Sequence, residues 1–231
     1  MVHAPSIYDA LHIPIEIQSL VLASLSVLLI AAGVRFGLAR AAEGGVIPDA
    51  RVTLRNLLEV LLEGVASLAR GTIGENWARY MPLLGTLGFF ILVSNLMGLI
   101  PGFGGPTSFI ETNLAWALVA FVVSEGVGIR EVGLRNYLAH FASGPWWIAW
   151  FILVIEVFSH FVRVVSLTIR LTANMFADHT LLGIALAFPV VSWFIPWAVL
   201  GLGVFVSLIQ AFIFTFLTMI YIGLALEAAH H

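Results

Sequence analysis

The chain has 231 residues, of which 61% are hydrophobic and 10% are charged, and its formal net charge is −3. Soluble domains are about 45–50% apolar and about 25% charged, so this composition predicts a polytopic membrane protein with an all-α fold. All ten basic residues are arginine, and the slightly acidic balance excludes the basic field that nucleic-acid binding needs. The absence of cysteine excludes disulfides, thiolate metal sites and cysteine catalysis.

The first third of the chain predicts an external head, one membrane span and one surface helix. Residues 1–16 carry no arginine and so lack the positive region that a signal peptide requires, and we expect them to form a short head. The charge-free run that follows predicts a transmembrane helix over residues 17–38. Over residues 51–70, leucines and valines recur at helical spacing opposite arginines and glutamates. This pattern predicts an amphipathic helix on the membrane surface or against partner helices.

Two ordinary spans are predicted in the middle of the chain, over residues 81–100 and 112–128. Two longer apolar stretches follow, over residues 146–188 and 197–228. As helices they would measure roughly 60 Å and 45 Å, whereas the hydrocarbon core of a bilayer is about 30 Å thick. The sequence therefore predicts a single membrane domain with about three ordinary spans and two long antiparallel helices that tilt strongly.

The distribution of arginine predicts the orientation in the membrane. Six of the ten arginines lie between residues 35 and 79 and two more between 130 and 135, whereas residues 1–16 and 101–111 have none. Cytoplasmic connections are enriched in basic residues. We therefore expect the N-terminus to lie outside and the C-terminus to lie in the cytoplasm.

One arginine, Arg170, lies deep inside the most apolar half of the chain. A guanidinium at membrane depth costs about 2.5–3.5 kcal/mol on insertion scales, and arginine cannot lose its proton to avoid this cost. Arg170 is therefore a candidate functional residue. At about 100° per residue, one helix face about 80° wide holds Arg170 together with a line of polar residues: Glu156, Ser159, Arg163, Ser166 and Asn174. His179 lies about 180° away from Arg170.

Structural explanations compete with functional ones for several of these residues. Arg170 could pair with a buried acid, but none of the candidates lies three or four positions from it on the helix: Glu156, Asp178 and Glu227. Arg163 is closer to the cytoplasm and is expected to snorkel to the interface. Ser159 and Ser166 are expected to be packing residues, because small side chains let membrane helices approach.

Gln210 is one of few amides in the second long stretch. It could form a hydrogen bond between helices, worth roughly 0.6–1.7 kcal/mol, or it could face the Arg170 region and line a polar path. The sequence leaves both open. Three further residues fall within about 80° of its face and could continue such a path: Ser207, Thr218 and Tyr221.

Three segments resemble subunit a of F-type ATP synthases. The first is residues 166–179, SLTIRLTANMFADH, in which an arginine is followed four residues later by an asparagine. The second is residues 208–221, LIQAFIFTFLTMIY, and the third is residues 94–101, SNLMGLIP. The order of head, span, amphipathic segment, two spans and two long helices is also similar, so the resemblance covers nearly the whole chain.

The resemblance implies a proton-translocating stator that serves ATP synthesis in a bacterial inner membrane, with no catalytic site, cofactor or metal in this chain. Arg170 would face the carboxylates of a rotating c-ring, with Asn174 beside it. Glu156 would belong to the inner half-channel, His179 to the outer half-channel, and Gln210 would supply the amide of the last helix. The implied partners are the c-ring through the Arg170 face, peripheral-stalk b subunits, membrane lipid and protons.

The chemistry of these residue types agrees with the implied roles. A permanently charged guanidinium favours the ionised form of a nearby carboxylate and lowers its pKa. It also prevents protons from passing directly between two offset half-channels, and unlike lysine it keeps its charge when buried. Histidine side chains ordinarily change charge between pH 5 and 8, which suits a proton relay.

One position departs from the family pattern. Many members carry a histidine or an acid seven residues before the glutamine, whereas this chain has Gly203. The outer half-channel would then lack the usual polar partner of His179, and Asp178, Glu111 or ordered water could substitute. Lesser candidates for the proton path complete the set: Asn113, Glu125, Ser207 and Tyr221.

Two other classes of membrane protein are alternatives to a stator subunit. A haem-bearing subunit would need histidine pairs on facing helices, but only His160 and His179 share a predicted helix, about 100° apart. A free-standing ion channel or secondary transporter is the alternative to a stator, but transporters often have duplicated halves with broken helices, and this sequence has no internal repeat.

Overall fold

The computed structural model describes residues 14–44, 54–100, 103–133, 146–187 and 194–227. Within these ranges lie six α-helices: α1 Ile15–Gly44, α2 Leu54–Ile73, α3 Trp77–Gly98, α4 Ile110–Val132, α5 Trp146–Ala187 and α6 Ile195–Glu227. Short 3₁₀ turns precede α3 and α4, at Gly74–Asn76 and Pro106–Ser108. No strand occurs in the described ranges, so the predicted all-α fold is confirmed.

Five helical stretches in this part of the chain are long and apolar enough to cross a membrane, judged by length and composition: Ile17–Arg35, Asn56–Gly98, Ile110–Glu131, Trp150–Ile184 and Ile195–Leu226. The second stretch combines α2 and α3. The chain is therefore an integral multi-pass membrane protein.

The last two helices are longer than a bilayer is thick. α5 has 42 residues and α6 has 33, which correspond to about 63 Å and about 50 Å. The hydrocarbon core is only about 30 Å thick. α6 begins at Ile195, two residues before its predicted start. Pro196 fits the first turn of a helix, because the N–H groups of that turn have no partner within the helix and the missing N–H of proline costs nothing there. α1 also extends beyond the predicted span, with 30 residues.

Three apolar clusters hold the helices of the described ranges together, and α6 contributes to the first two. The first joins α3, α4, α5 and α6 through ten buried residues: Leu87, Phe90, Ile91, Ala117, Ala120, Val164, Leu167, Leu171, Ala211 and Phe214. The second joins α2, α3, α4 and α6, and includes Ala69, Tyr80, Leu84, Met219 and Ile222. Because lipid tails are as apolar as these side chains, tight packing rather than exclusion of water stabilises the arrangement.

The turn before α4 lies directly against the end of α3. A Cβ atom on Gly105 would collide with the carbonyl oxygen of Ser94 and lie 2.9 Å from the nitrogen of Gly98. A Cβ atom on Gly98 would collide with Cε of Met175 in α5. Glycine at these two positions therefore brings α3, α5 and the turn close together, near the polar residues described below.

We expect Gly105→Ala to destabilise the fold by about 1–3 kcal/mol, the usual cost of overpacking, because the new methyl group meets backbone atoms. Gly201→Ala is the matched control, since its Cβ atom meets nothing within 4 Å and it lies exposed in α6. Thermal unfolding of the full chain in detergent measures the difference. Equal unfolding midpoints for the two variants would contradict this packing.

Candidate functional site

Arg170 lies on the border between the buried and exposed sides of α5. Leu167 and Leu171 are 4% and 1% exposed, whereas Ile169 and Ala173 are exposed. Arg170 itself is half-buried. The ion pairs found between described side chains do not include it. Its charge is therefore not balanced by any side chain that the structure describes, and a partner from outside the chain could approach it.

Glu156, the predicted acid of the inner path, lies in α5, but its side chain falls outside the described part of the chain.

An amide pair joins α5 to α6 beside the arginine. Nδ2 of Asn174 donates a hydrogen bond of 2.9 Å to Oε1 of Gln210. Gln210 is only 3% exposed, and its Nε2 atom has no partner within the described residues. Since Asn174 lies one turn after Arg170, the structure brings these three residues together. The amide leaves one buried donor available beside the guanidinium.

Small polar side chains gather where α3, the turn before α4, α4 and α5 meet. Asn113 donates from Nδ2 to the Thr107 carbonyl oxygen at 2.8 Å and to Oγ1 of Thr172 at 2.9 Å. Ser94 and Asn95 lie buried at the end of α3 that packs against this turn. We call these five residues the buried polar cluster.

Several atoms of the buried polar cluster have no hydrogen-bonding partner in the described part of the chain: Oγ of Ser94, Oδ1 of Asn95, Oγ1 of Thr107 and Oδ1 of Asn113. On α6, Oγ of Ser207 and Nε2 of Gln210 are in the same condition. A buried polar atom without a partner costs roughly 1–3 kcal/mol, and proteins usually satisfy such groups with ordered water. The chemistry of this region therefore suits a hydrated path.

His179 continues this polar region towards the end of α5. It is exposed and lies seven residues after Thr172, about two turns further along the same side of the helix. Because Thr172 contacts α4 through Asn113, this is the side of α5 that faces α4. The offset of about 180° from Arg170 thus places His179 in line with the buried polar cluster.

The other residues considered for the outer path differ in exposure and surroundings. Asp178 is half-buried, and Glu111 is exposed in the first turn of α4. Gly203 is buried, and a Cβ atom on it would lie 2.5 Å from Cδ2 of Leu99. An apolar side chain therefore occupies the space into which a polar side chain at position 203 would extend.

A second group of ionisable side chains joins α4, α5 and α6. Oε1 of Glu125 lies 3.0 Å from Nε2 of His160 and 3.6 Å from Nη1 of Arg163. Cζ of Arg163 lies 3.9 Å from the centre of the Tyr221 ring. Arg163 thus pairs with an acid from α4 and lies over an aromatic ring from α6, and the expectation that it snorkels to the interface stays a prediction.

The remaining predicted positions differ in their surroundings. Ser159 and Ser166 are exposed, so they are not buried against any other helix that the structure describes. Ser207 is 2% exposed, whereas Thr218 is fully buried and donates to the carbonyl oxygen of Phe214 in its own helix.

Four residues of the buried polar cluster were not candidates from the sequence: Ser94, Asn95, Thr107 and Thr172. Two of them lie in the segment 94–101, which supports only the resemblance. Thr172 lies about 200° from Arg170 and so falls outside the polar face that contains the arginine. Small polar residues inside otherwise apolar spans were the available signal.

Comparison with known proteins agrees with the resemblance seen in the sequence. The profile of the family described as ATP synthase A chain matches residues 19–223. ATP synthase subunit a 1 of Syntrophotalea carbinolica is 45% identical over 177 residues, which are 77% of this chain and 74% of that protein. ATP synthase subunit a of Trichlorobacter lovleyi is 44% identical, over 77% of this chain and 76% of that protein. The chain belongs to the ATP synthase A chain family.

Proposed function

We propose that this chain is the proton-translocating stator subunit of an F-type ATP synthase and that Arg170 faces the carboxylates of a rotating c-ring. The observation that carries the proposal is the half-buried guanidinium of Arg170, which no described side chain pairs with in an ion pair. A charge at membrane depth needs a partner, and a partner in another subunit satisfies this need.

The surface beside Arg170 supports contact with closely packed helices of another subunit. Four small side chains are exposed within about 60° of the arginine on α5: Ser159, Ser166, Ala173 and Ala177. Small residues let membrane helices approach each other closely. A ring helix on this surface would bring its carboxylate near the guanidinium without displacing a large side chain.

Electrostatics gives the arginine its function in this proposal. Two opposite charges 4 Å apart attract by about 4 kcal/mol at an effective dielectric constant of 20. Since one pKa unit corresponds to about 1.4 kcal/mol, the pKa of a ring carboxylate opposite Arg170 would fall by about three units. An arriving carboxylic acid would release its proton there, and the same positive charge would stop protons from crossing directly between the two paths.

We assign the two half-channels to the two sides of Arg170 along α5. The buried polar cluster and His179 form the outer path, and the amide pair of Asn174 and Gln210 leads from it towards the arginine. Glu156 belongs to the inner path, on the cytoplasmic side that the arginine distribution indicates. The partners in this proposal are the c-ring on the Arg170 face and the peripheral-stalk b subunits, in a bacterial inner membrane.

We expect Arg170→Ala to reduce ATP-driven proton pumping at least about 100-fold, because the loss of about 3 kcal/mol of charge stabilisation changes a rate by that factor. Arg170→Lys should be badly impaired too, since a buried lysine can lose its charge. Acidification of inverted membrane vesicles that contain the whole complex measures pumping, and ATP hydrolysis by the soluble head should persist.

Arg79→Ala is the matched control for these variants, because Arg79 is an exposed arginine whose pair with Glu131 lies at the end of α4. It should pump at the normal rate. Normal coupled pumping by Arg170→Ala would contradict the proposed function, and so would purification of the chain as a stable oligomer of its own without a c-ring.

We expect Gln210→Leu to reduce proton pumping about tenfold, because the change removes the acceptor of Asn174 and leaves a half-buried amide without its partner, at about 1–3 kcal/mol. Thr218→Val is the control, since that buried hydroxyl on α6 bonds only within its own helix. The initial rate of vesicle acidification, divided by the amount of assembled complex, separates the two. Equal rates for both variants would remove Gln210 from the path.

A further inference from the structure

The group of ionisable residues on the opposite side of Arg170 from the buried polar cluster is not explained by the proposed roles. It consists of Glu125 from α4, His160 and Arg163 from α5, and Tyr221 from α6. We call it the inner ionisable cluster. The side chains of Glu125, His160 and Arg163 are only 16%, 17% and 21% exposed.

The positions along α5 place this cluster on the inner side of the arginine. His160 lies ten residues before Arg170, about 15 Å along the helix, whereas Thr172 and His179 lie after it. His160 also follows Glu156 by four residues, so the two positions are neighbours on one face of α5. The cluster therefore lies where the proposed inner half-channel runs.

One carboxylate of the inner ionisable cluster serves two basic side chains. Glu125 offers the same oxygen, Oε1, to His160 and to Arg163. An imidazolium at His160 would therefore stand 3.0 Å from an acid that accepts a hydrogen bond from it.

The imidazole of His160 is held by contacts on two sides. Nε2 of His160 lies 3.0 Å from Oε1 of Glu125. The T-shaped contact with Phe121, with ring centres 5.9 Å apart, helps to hold the imidazole in this orientation.

We infer that His160, held by Glu125, is a second proton-exchange group of the inner half-channel, in addition to Glu156. The imidazole takes a proton from water, the imidazolium is held beside the carboxylate, and the ring then releases one proton to water and returns to its neutral form. Only N–H and O–H bonds form and break. This inference rests on the proposed function, because it requires that protons pass through this subunit.

The groups that face His160 define what can alter its proton exchange. Among the described side chains, α4 contributes Glu125, α5 contributes Arg163, and α6 contributes Tyr221 through its contact with Arg163. An exchange group matters most when free protons are scarce, so its removal should slow proton uptake chiefly at alkaline pH on the cytoplasmic side.

The test uses inverted membrane vesicles with the whole complex, in which the medium sets the pH on the cytoplasmic side. His160→Gln keeps a donor for Glu125 but cannot take up a proton near neutrality. We expect its ATP-driven pumping rate to be within about twofold of wild type at pH 6 and about three- to tenfold lower at pH 8.5. Rates are divided by the amount of assembled complex, so a lower yield does not affect the comparison.

Three further variants make the result specific. Glu125→Gln removes the stabilising charge and should give the same alkaline loss, whereas Glu125→Asp keeps the carboxylate and should retain more activity at pH 8.5. Glu131→Gln changes an exposed acid on the same helix and should leave the pH profile unchanged.

A constant ratio of His160→Gln to wild type from pH 6 to 8.5 would overturn the relay and leave a merely structural pair. Arg170→Ala in the same vesicles separates this failure from a failure of the proposed function. If Arg170→Ala does not pump while His160→Gln has the wild-type profile, only the relay is wrong. If Arg170→Ala pumps normally, the proposed function itself is wrong.

Discussion

The structure depends on a guanidinium that the described part of its own chain does not neutralise. Arg170 lies where the packed side of α5 meets the exposed side, so it is held by the protein without being enclosed by it. A carboxylate in ion-pair contact would satisfy the arginine permanently and make it a structural residue. Because no described side chain fills this role, the arginine remains open to a charge from outside the chain.

The helix that carries Arg170 also separates it from the polar region on its other side. Thr168, Thr172 and His179 lie on the face towards α4, roughly half a turn away from the arginine. Leu167 and Leu171 lie between the two faces and pack into the apolar cluster with α3, α4 and α6. The amide pair of Asn174 and Gln210 lies on the arginine side of this layer and joins α5 to α6. A single helix can therefore carry two polar surfaces and insulate one from the other.

The all-α membrane fold could be predicted because composition and the lengths of hydrophobic runs are properties of the sequence itself. Arg170 could be predicted as a functional residue because a charged side chain in an apolar run is costly. The pairing of Glu125 with His160 could not be predicted, since the two residues are 35 positions apart and meet only through the register of α4 against α5. The short polar residues of the buried polar cluster give little periodic signal. The contact of Leu99 with Gly203 likewise depends on how the end of α3 meets α6.

That last contact constrains how the sequence can change. A larger residue at position 203 collides with Leu99, and a smaller residue at position 99 opens a cavity beside a glycine. Each change alone is therefore harmful, whereas the two together can compensate, and contacting positions of this kind are typically coupled by about 0.5–3 kcal/mol. Positions 99 and 203 are thus expected to exchange as a pair. A polar residue cannot therefore be introduced at position 203 by a single substitution without colliding with Leu99. Packing at this contact, and not the usefulness of a polar group for proton transfer, limits which residues position 203 can acquire.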